Sequence, residues 1–234
     1  MSVRDVLLTG AAEWGIVLPP GAPEAFEAYF RCLREYNGVM DLTAVEGEEE
    51  TASRHFLDSL SLLRCADFRG ARVIDVGSGA GFPGLPLKLA VPDVSLTLLD
   101  AQRKRTDFLS ELCARLGTEV RCVHARAEEA SLLPGERDAY DFAVSRAVAR
   151  LNVLCELCLP FVKPGGALLA MKAKDCGEEL DEAAGAMRTL NAALESAESF
   201  AVAGVERRVA VIRKLGPTPA GYPRRFAKIS KKPL

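Results

Sequence analysis

The chain has 234 residues, of which 49% are apolar and 26% are charged, a globular composition that excludes a disordered or fibrous chain. No apolar run reaches the roughly eighteen residues of a membrane span. The formal net charge of −2 hides a basic end, because residues 205–234 carry nine Lys/Arg against one Asp/Glu, a net charge of +8. Such an end favours contact with a polyanion, although a solvated basic tail has the same composition.

Residues 1–70 are predicted to be helical. Apolar residues recur there at spacings of three and four, which places them on one face of a helix. They are Ala25, Phe26, Tyr29, Phe30, Leu33 and Tyr36. A second amphipathic stretch covers residues 55–63, and no strand pattern precedes residue 72. We therefore expect an N-terminal helical extension over residues 1–70.

Short apolar runs alternate with helical patterns from residue 72 onward. The predicted strands are 72–76, 95–100, 119–124, 140–145 and 167–171, and the predicted helices are 84–90, 102–116, 150–161 and 177–195. This alternation predicts a parallel sheet covered on both faces. Two further runs, 199–203 and 208–213, are joined by a turn that allows only an antiparallel pair.

This order of elements is that of an α/β, Rossmann-like class I methyltransferase with a mostly parallel seven-stranded sheet. We expect the methyltransferase domain to cover residues 71–215. A basic C-terminal tail would then occupy residues 216–234.

A glycine-rich loop follows the first predicted strand, with Gly77, Gly79 and Gly81 at alternating positions. Without Cβ atoms these residues let the backbone turn tightly and approach a ligand. Asp100 ends the second predicted strand, where a carboxylate can accept hydrogen bonds from both ribose hydroxyls of an adenosine. Asp75 precedes the loop and suits a cationic methionyl amine or sulfonium. The segment predicts a site for S-adenosylmethionine.

A dinucleotide site is the alternative interpretation, because residues 79–84 (GAGFPG) formally fit G-x-G-x-x-G. Counted from Gly77, where the strand is predicted to end, the third glycine of that motif would fall on Phe82. An acid at Asp75 also suits a pyrophosphate poorly. Both features favour the methyl donor, and glycines that serve only a tight turn are the third interpretation.

With these residues in hand, the chain resembles the RsmG (GidB) family, ribosomal RNA small-subunit methyltransferase G. The most specific part of the resemblance is N-x-x-M-x-L-T followed by H-x-x-D-S-L. The segments that carry it are 36–43 (YNGVMDLT), 54–60 (RHFLDSL), 75–84 (DVGSGAGFPG), 99–105 (LDAQRKR), 126–128 (RAE), 145–147 (SRA) and 231–234 (KKPL). It implies methylation of N7 of one guanine in 16S rRNA, near the decoding centre, with 16S rRNA or the 30S subunit as partner.

The resemblance also implies roles at single positions. Gly77 and Phe82 would line the donor site, and Asp100 would hold the ribose. Ala127 and Glu128 would flank the adenine. Arg146 would lie beside the methionine end or the target base, unless it only pairs with a carboxylate such as Asp141.

Guanine N7 carries an unshared electron pair at neutral pH, so its attack on a methyl group needs positioning and removal of water but no general base. The sequence lacks the Asn-Pro-Pro-aromatic tetrapeptide that grips an exocyclic amine and the Pro-Cys dipeptide that marks carbon-5 methylation. We therefore predict no catalytic side chain, with Arg146 as the candidate for positioning the base. A methyltransferase of another substrate and a non-catalytic ribosome-assembly module are the alternatives.

The tail after Gly216 combines basic and aromatic residues. Its prolines are expected to preclude a regular helix, and its composition suits phosphate neutralisation and base stacking. The candidate RNA-binding residues are Arg224, Arg225, Lys228, Lys231 and Lys232. We predict that removing this tail weakens RNA binding and leaves cofactor affinity intact.

The remaining candidates point to structural roles. His55 has no Cys/His partners for a metal site, so a structural role, such as a hydrogen bond to Asp58, is favoured over contact with RNA. Cys155 and Cys158 form C-x-x-C among leucines and are predicted to be core thiols. Seven scattered cysteines and no secretory signal indicate reduced thiols in a cytoplasmic protein, and we expect a monomer without a bound metal.

Overall fold

The computed structural model describes residues 1–40, 42–45, 47–173 and 176–234. The helices α1 (Val3–Glu13) and α2 (Ala22–Met40) open the chain. Ser2 caps α1, because its Oγ accepts a hydrogen bond from Asp5 N while the Asp5 carboxylate accepts one from Ser2 N, each at 3.2 Å. Asp41, part of the segment 36–43, lies outside the described residues.

A run of short helical segments leads from this region to the sheet. These are α3 (Glu48–Thr51), a π-helical segment (Ala52–Leu57), α4 (Asp58–Leu60) and a 3-10 turn (Ser61–Arg64). Together with α2 they bury the stripe predicted from the sequence, with Phe26, Tyr29 and Leu33 at most 2% exposed. The predicted N-terminal helices are confirmed.

The described residues form a seven-stranded sheet in the order β3-β2-β1-β4-β5-β7-β6. Its strands are β1 (Arg72–Val76), β2 (Ser95–Asp100), β3 (Arg121–His124), β4 (Tyr140–Arg146), β5 (Val162–Ala173), β6 (Ala192–Val202) and β7 (Val205–Lys214). Strands β1 to β5 pair in parallel, and β7 pairs antiparallel to both β5 and β6. The order reverses direction at β1 and β4, where ligands bind in open α/β sheets.

Helices cover both faces of the sheet, as the alternation of elements predicts. They are α5 (Gly84–Ala90), α6 (Arg103–Arg115), α7 (Ala127–Ala130), α8 (Leu151–Cys158) and α9 (Gly177–Thr189). Successive strand residues serve opposite cores: in β5, Leu169 packs with the N-terminal helices, whereas Leu168 packs with α8 and α9. This is the predicted Rossmann-like class I methyltransferase fold. In the described part of the chain, no helix combines the length and hydropathy needed to span a bilayer.

Two predicted elements are wrong in detail. The helix predicted over 177–195 ends at Thr189, because Asn191 has a φ of +54° and the chain from Ala192 onward pairs with β7. Pairing along a whole strand outweighs the helical propensity of residues 192–195. The prolines of the C-terminal segment, residues 216–234, also fail to preclude a helix. Helix α10 (Phe226–Lys231) fits between Pro223 and Pro233, both of which lie outside its ends.

Candidate functional site

The glycine-rich loop joins β1 to α5 at the point where the strand order reverses. Gly77 has a φ of +76°, and a Cβ built on it would lie 2.5 Å from Val148 Cγ2. Gly81 has a φ of +103°, and a Cβ built on it would clash with Tyr29 Oη. Any larger side chain would collide at both positions, so the loop packs against the strand-end residue Val148 on one side and the N-terminal helices on the other.

Asp100 lies at the carboxyl end of β2 and is 4% exposed. Gly79 N donates to its Oδ2 at 2.9 Å and Gln102 N donates to its Oδ1 at 2.8 Å. These bonds fix the carboxylate beside the loop. Oδ1 keeps a second lone pair for a ligand hydroxyl, and Oδ2 also lies 3.5 Å from Arg105 Nη1.

A cavity of about 170 Å³, the Asp100 cavity, opens at this edge of the sheet. Four of the predicted cofactor residues line it, namely Gly77, Asp100, Ala127 and Glu128. Val76, Leu99 and Leu157 supply apolar walls, and Val148, Arg126 and Phe226 complete its rim. A carboxylate between apolar walls is the combination that an adenosine requires.

A second and larger cavity, the Arg146 cavity, lies beyond the end of β4 and has a volume of about 580 Å³. Basic residues are the most frequent in its lining, together with an aspartate, a glutamate, a histidine and small or apolar side chains. The lining residues include Arg54, His55, Asp58, Arg146, Ala147, Met171, Lys172, Arg207 and Arg208. Such a lining suits an anionic ligand.

Arg146 is held in this cavity by several partners. Its Nη1 donates to Asp58 Oδ2 at 3.0 Å and to Arg54 O at 3.3 Å, and its guanidinium carbon lies 4.8 Å from the centroid of the Phe82 ring. Arg146 therefore pairs with a carboxylate, as the alternative interpretation has it, but the partner is Asp58 and not Asp141, which accepts from Arg72 N at 2.8 Å and pairs with a lysine.

His55 is a neutral acceptor in the same network. Arg146 Nη2 lies 3.3 Å from its Nδ1, and an arginine can only donate, so Nδ1 accepts and Nε2–H donates to Thr43 Oγ1 at 2.7 Å. Nδ1 also lies 3.1 Å from Arg54 O, a carbonyl that accepts a hydrogen bond from Arg146 Nη1. Burial, with the charge of Arg146 second, lowers the pKa of His55 to about 4, so the ring stays neutral near pH 7. Asp58 contacts Arg146 and not His55.

Phe82 and Asp75 lie away from the lining of the Asp100 cavity. Phe82 is 6% exposed, and its ring stacks on Tyr29 at 5.4 Å and on His55 at 4.7 Å between centroids. Asp75 is fully buried and accepts a hydrogen bond from Gly84 N at 2.7 Å. Burial raises the pKa of Asp75 to about 7. The cofactor contacts predicted for both residues stay predictions.

The basic residues of the C-terminal segment divide into two groups. Arg224 is paired with Glu156, with hydrogen bonds from Arg224 N and Nε to Oε1, each at 2.8 Å. The Arg224 side chain is 12% exposed and the carboxylate is fully buried, so the pair has a structural role, and the predicted contact of Arg224 with RNA stays a prediction. The other four candidates are exposed: Arg225, Lys228, Lys231 and Lys232.

Among the residues that sequence reasoning missed are Asp58, Arg207 and Phe226, which line the two cavities, and Tyr29, which contacts the glycine-rich loop. Asp58 was considered only as a partner of His55, although Arg207 Nε lies 3.4 Å from its Oδ1. A buried tyrosine in an otherwise apolar stripe is the one local pattern that points to a partner, and Tyr29 Oη donates to Ala80 O at 2.7 Å.

The surroundings of the cysteines, and of the side chains that could bind a metal ion, indicate structural roles. Cys155 and Cys158 are buried and free, which confirms them as core thiols, and burial raises the pKa of Cys155 to about 12. Within the residues that the structure describes, no three His, Cys, Asp or Glu side chains are grouped to hold a metal ion.

A family model and individual similar proteins point to the same protein family. The sequence model of the family described as GidB, rRNA small subunit methyltransferase G, matches residues 22–209. Proteins named Ribosomal RNA small subunit methyltransferase G are similar over the whole chain. The one from Acetivibrio thermocellus is 42% identical, over 100% of this chain and 98% of that protein. The one from Alkaliphilus oremlandii is 44% identical, over 100% of both.

Solved structures share the fold. TrmN from Thermus thermophilus is 24% identical with a TM-score of 0.53, over 70% of this chain and 53% of that one. The [4+2]-cyclase SpnF is 17% identical with a TM-score of 0.57, over 86% of this chain and 98% of that one. At these identities the likeness shows the fold alone.

Proposed function

The chain belongs to the GidB family, rRNA small subunit methyltransferase G, and on that premise we propose that it transfers the methyl group of S-adenosylmethionine to N7 of one guanine in 16S rRNA. The observation that carries the proposal is the pair of cavities on the two sides of the glycine-rich loop. One holds a carboxylate between apolar walls, and the other is basic.

The Asp100 cavity fits the adenosine half of the donor. Asp100 would accept the ribose hydroxyls, Ala127 and Glu128 would flank the adenine, and Gly77, whose Cβ position is filled by Val148, would line the pocket with its backbone. When bound, S-adenosylmethionine supplies a methyl group on a positively charged sulfonium. No dinucleotide is invoked, because the family is one of methyltransferases.

The Arg146 cavity fits the acceptor. Guanine N7 has an electron pair and no proton to lose, so the chain needs only to orient the base and exclude water. Arg146 is restrained by Asp58 and stacked on Phe82, which gives a guanidinium of fixed direction beside the loop. We assign it the O6 edge of guanine or a neighbouring phosphate, since N7 itself must stay free for the methyl group.

The proposal extends to the organisation of the chain. Residues 71–215 form the methyltransferase domain, residues 1–70 complete the acceptor side, and residues 216–234 bind RNA as part of a monomer that acts on the 30S subunit. Arg225, Lys228, Lys231 and Lys232 are the exposed cations for phosphate contacts. Replacing these four by Gln should weaken RNA binding. It should also reduce the slope of log K against log salt concentration by the amount expected for about four phosphate contacts. An unchanged salt slope would remove the segment from the RNA interface.

The central experiment is to incubate the protein with radiolabelled S-adenosylmethionine and 30S subunits from a strain that lacks this activity, and to map the label. We expect label on a single guanine N7 of 16S rRNA. Asp100→Asn should weaken donor binding, whereas Asp107→Asn, on the exposed face of α6, is the matched control. Donor binding without RNA label in any assembly state would favour another methyl acceptor, and no donor binding would favour a non-catalytic assembly module.

A further inference from the structure

The C-terminal segment reaches the Asp100 cavity through one aromatic side chain. Phe226, the first residue of α10, is among the residues that line this cavity, and it is 40% exposed. It follows Asp100 by more than a hundred residues, so its place at the rim depends on how the segment is docked.

The position of Phe226 is fixed by a contact of Arg224, two residues before it in the chain. Glu156, in α8, is fully buried and receives hydrogen bonds from the backbone and the guanidinium of Arg224. An unpaired carboxylate at this depth would be strongly unfavourable, so the pair fixes Arg224 to α8. Leu157, the neighbour of Glu156, lines the same cavity.

Further contacts hold the segment on either side of this pair. Arg137 donates to Tyr222 O at 2.8 Å and to Thr218 O at 3.1 Å. Ile229 of α10 is fully buried in the core formed with α8 and α9. The segment is therefore docked along its length, and the Phe226 ring has little freedom to leave the rim.

The ring itself is arranged to receive a flat ligand. The guanidinium carbon of Arg126 lies 5.6 Å from the ring centroid, and Arg126 directly precedes Ala127 and Glu128 of the cavity lining. An aromatic ring at the rim of a pocket with apolar walls is a stacking surface for a purine base.

We propose that Phe226 forms the outer wall of the donor pocket and packs on the adenine of S-adenosylmethionine, so that the basic C-terminal segment is a structural part of the donor site. This inference rests on the proposed function, because it takes the Asp100 cavity as the adenosine site. It also reverses the expectation from the sequence that removing the segment leaves cofactor affinity intact. Truncation after Gly216 would remove Phe226 and leave Glu156 buried without its partner.

Isothermal titration of the full chain with S-adenosylmethionine tests this wall. Phe226→Ala should raise the donor Kd about tenfold, the usual effect of losing one aromatic contact with a base. Phe226→Tyr keeps the ring and should stay within about twofold of the wild type, whereas Phe226→Leu keeps apolar volume without the ring and should fall between the two. Leu215→Ala is the matched control, because Leu215 is a 66% exposed apolar residue beside the segment and outside the cavity lining.

The possible outcomes distinguish failure of the Phe226 wall from failure of the proposed function. A wild-type chain that binds the donor, with Phe226→Ala binding it equally well, would overturn the wall and leave the proposed function intact. A wild-type chain that does not bind the donor would overturn the proposed function, and the wall with it. Thermal melts followed by circular dichroism show whether each variant is folded. If the Ala variant does not fold, the Leu variant decides, because donor affinity equal to that of the wild type without the ring would overturn the wall.

Discussion

The ion pair between Arg146 and Asp58 is the contact whose loss has the best-defined consequence. The Asp58 side chain is 4% exposed and that of Arg146 16% exposed, and Nη1 and Oδ2 are 3.0 Å apart. Burial raises the pKa of Asp58 despite two neighbouring arginines. The carboxylate therefore depends on both of them to stay charged, and we predict strong energetic coupling between Arg146 and Asp58.

The magnitude follows from the remaining contacts. Arg146→Ala leaves a buried carboxylate with Arg207 alone, which should destabilise the chain by about 3 kcal/mol, the lower end for breaking a buried pair. Asp58→Asn keeps the shape and one hydrogen bond but leaves two arginines close together, and it should cost about 1–2 kcal/mol. The double variant has neither the under-neutralised carboxylate of the first variant nor the two close arginines of the second. Its destabilisation should therefore be smaller than the sum of the two, by a coupling energy of about 2 kcal/mol.

Urea unfolding of the wild type, the two single variants and the double variant at pH 7.5 measures this coupling. Circular dichroism and the fluorescence of Trp14, the single tryptophan, provide two probes of the transition. A shift of the midpoint at constant m-value reports stability alone. A coupling energy below about 0.5 kcal/mol, the usual error of additivity, would refute the buried ion pair in solution.

Three further predictions concern the loop, the histidine and the C-terminal anchor. Gly77→Ala should abolish donor binding because its Cβ meets a valine at 2.5 Å, whereas Gly70→Ala, with a φ of +65° and open space around it, should cost only about 1 kcal/mol of stability in thermal melts. Because burial lowers the pKa of His55 to about 4, the unfolded chain binds a proton there first, so the contribution of His55 to stability should fall from pH 6.5 to pH 4, whereas Asp75, whose pKa is raised to about 7, contributes with the opposite sign. His55→Gln should remove the His55 contribution, so the difference in stability between variant and wild type should change by up to about 3 kcal/mol over that range, and parallel pH curves would contradict it. Glu156→Gln should destabilise the chain by about 2–3 kcal/mol and speed proteolysis after residue 216, and an unchanged cleavage rate would mean that the anchor does not hold the segment.

The sheet and the Asp100 cavity could be predicted because their determinants are local. Gly77 follows β1 directly and Asp100 ends β2, and parallel strands bring their carboxyl ends to one edge. Strand alternation and loop glycines are written in neighbouring residues, so a single sequence contains them. The same holds for the hairpin of β6 and β7, although its first strand begins earlier than predicted, because pairing outweighs helical propensity from Ala192 onward.

The Arg146 cavity could not be predicted in the same way, because its contacts join distant parts of the chain. Asp58 and Arg146 are separated by 88 positions, and Glu156 and Arg224 by 68. Periodicity reports which face of an element is buried and not which charge lies opposite. Arg224 was therefore grouped with the exposed cations, although its guanidinium neutralises an interior carboxylate. Only burial reveals which basic residues are available to RNA.

The shared fold and the two extensions have different roles in the site. The [4+2]-cyclase SpnF shares the fold over 86% of this chain, so the sheet and its helices do not decide the reaction. Several residues of the site come instead from outside the sheet: His55 and Asp58, which line the Arg146 cavity, and Tyr29, which bonds to the glycine-rich loop, come from the N-terminal helices, and Phe226 comes from the C-terminal segment. The family-specific sequence at 54–60 lies in the first of these, against Arg146. Specificity for the acceptor should therefore reside in how residues 1–70 meet the end of β4, and donor affinity in how residues 216–234 meet α8.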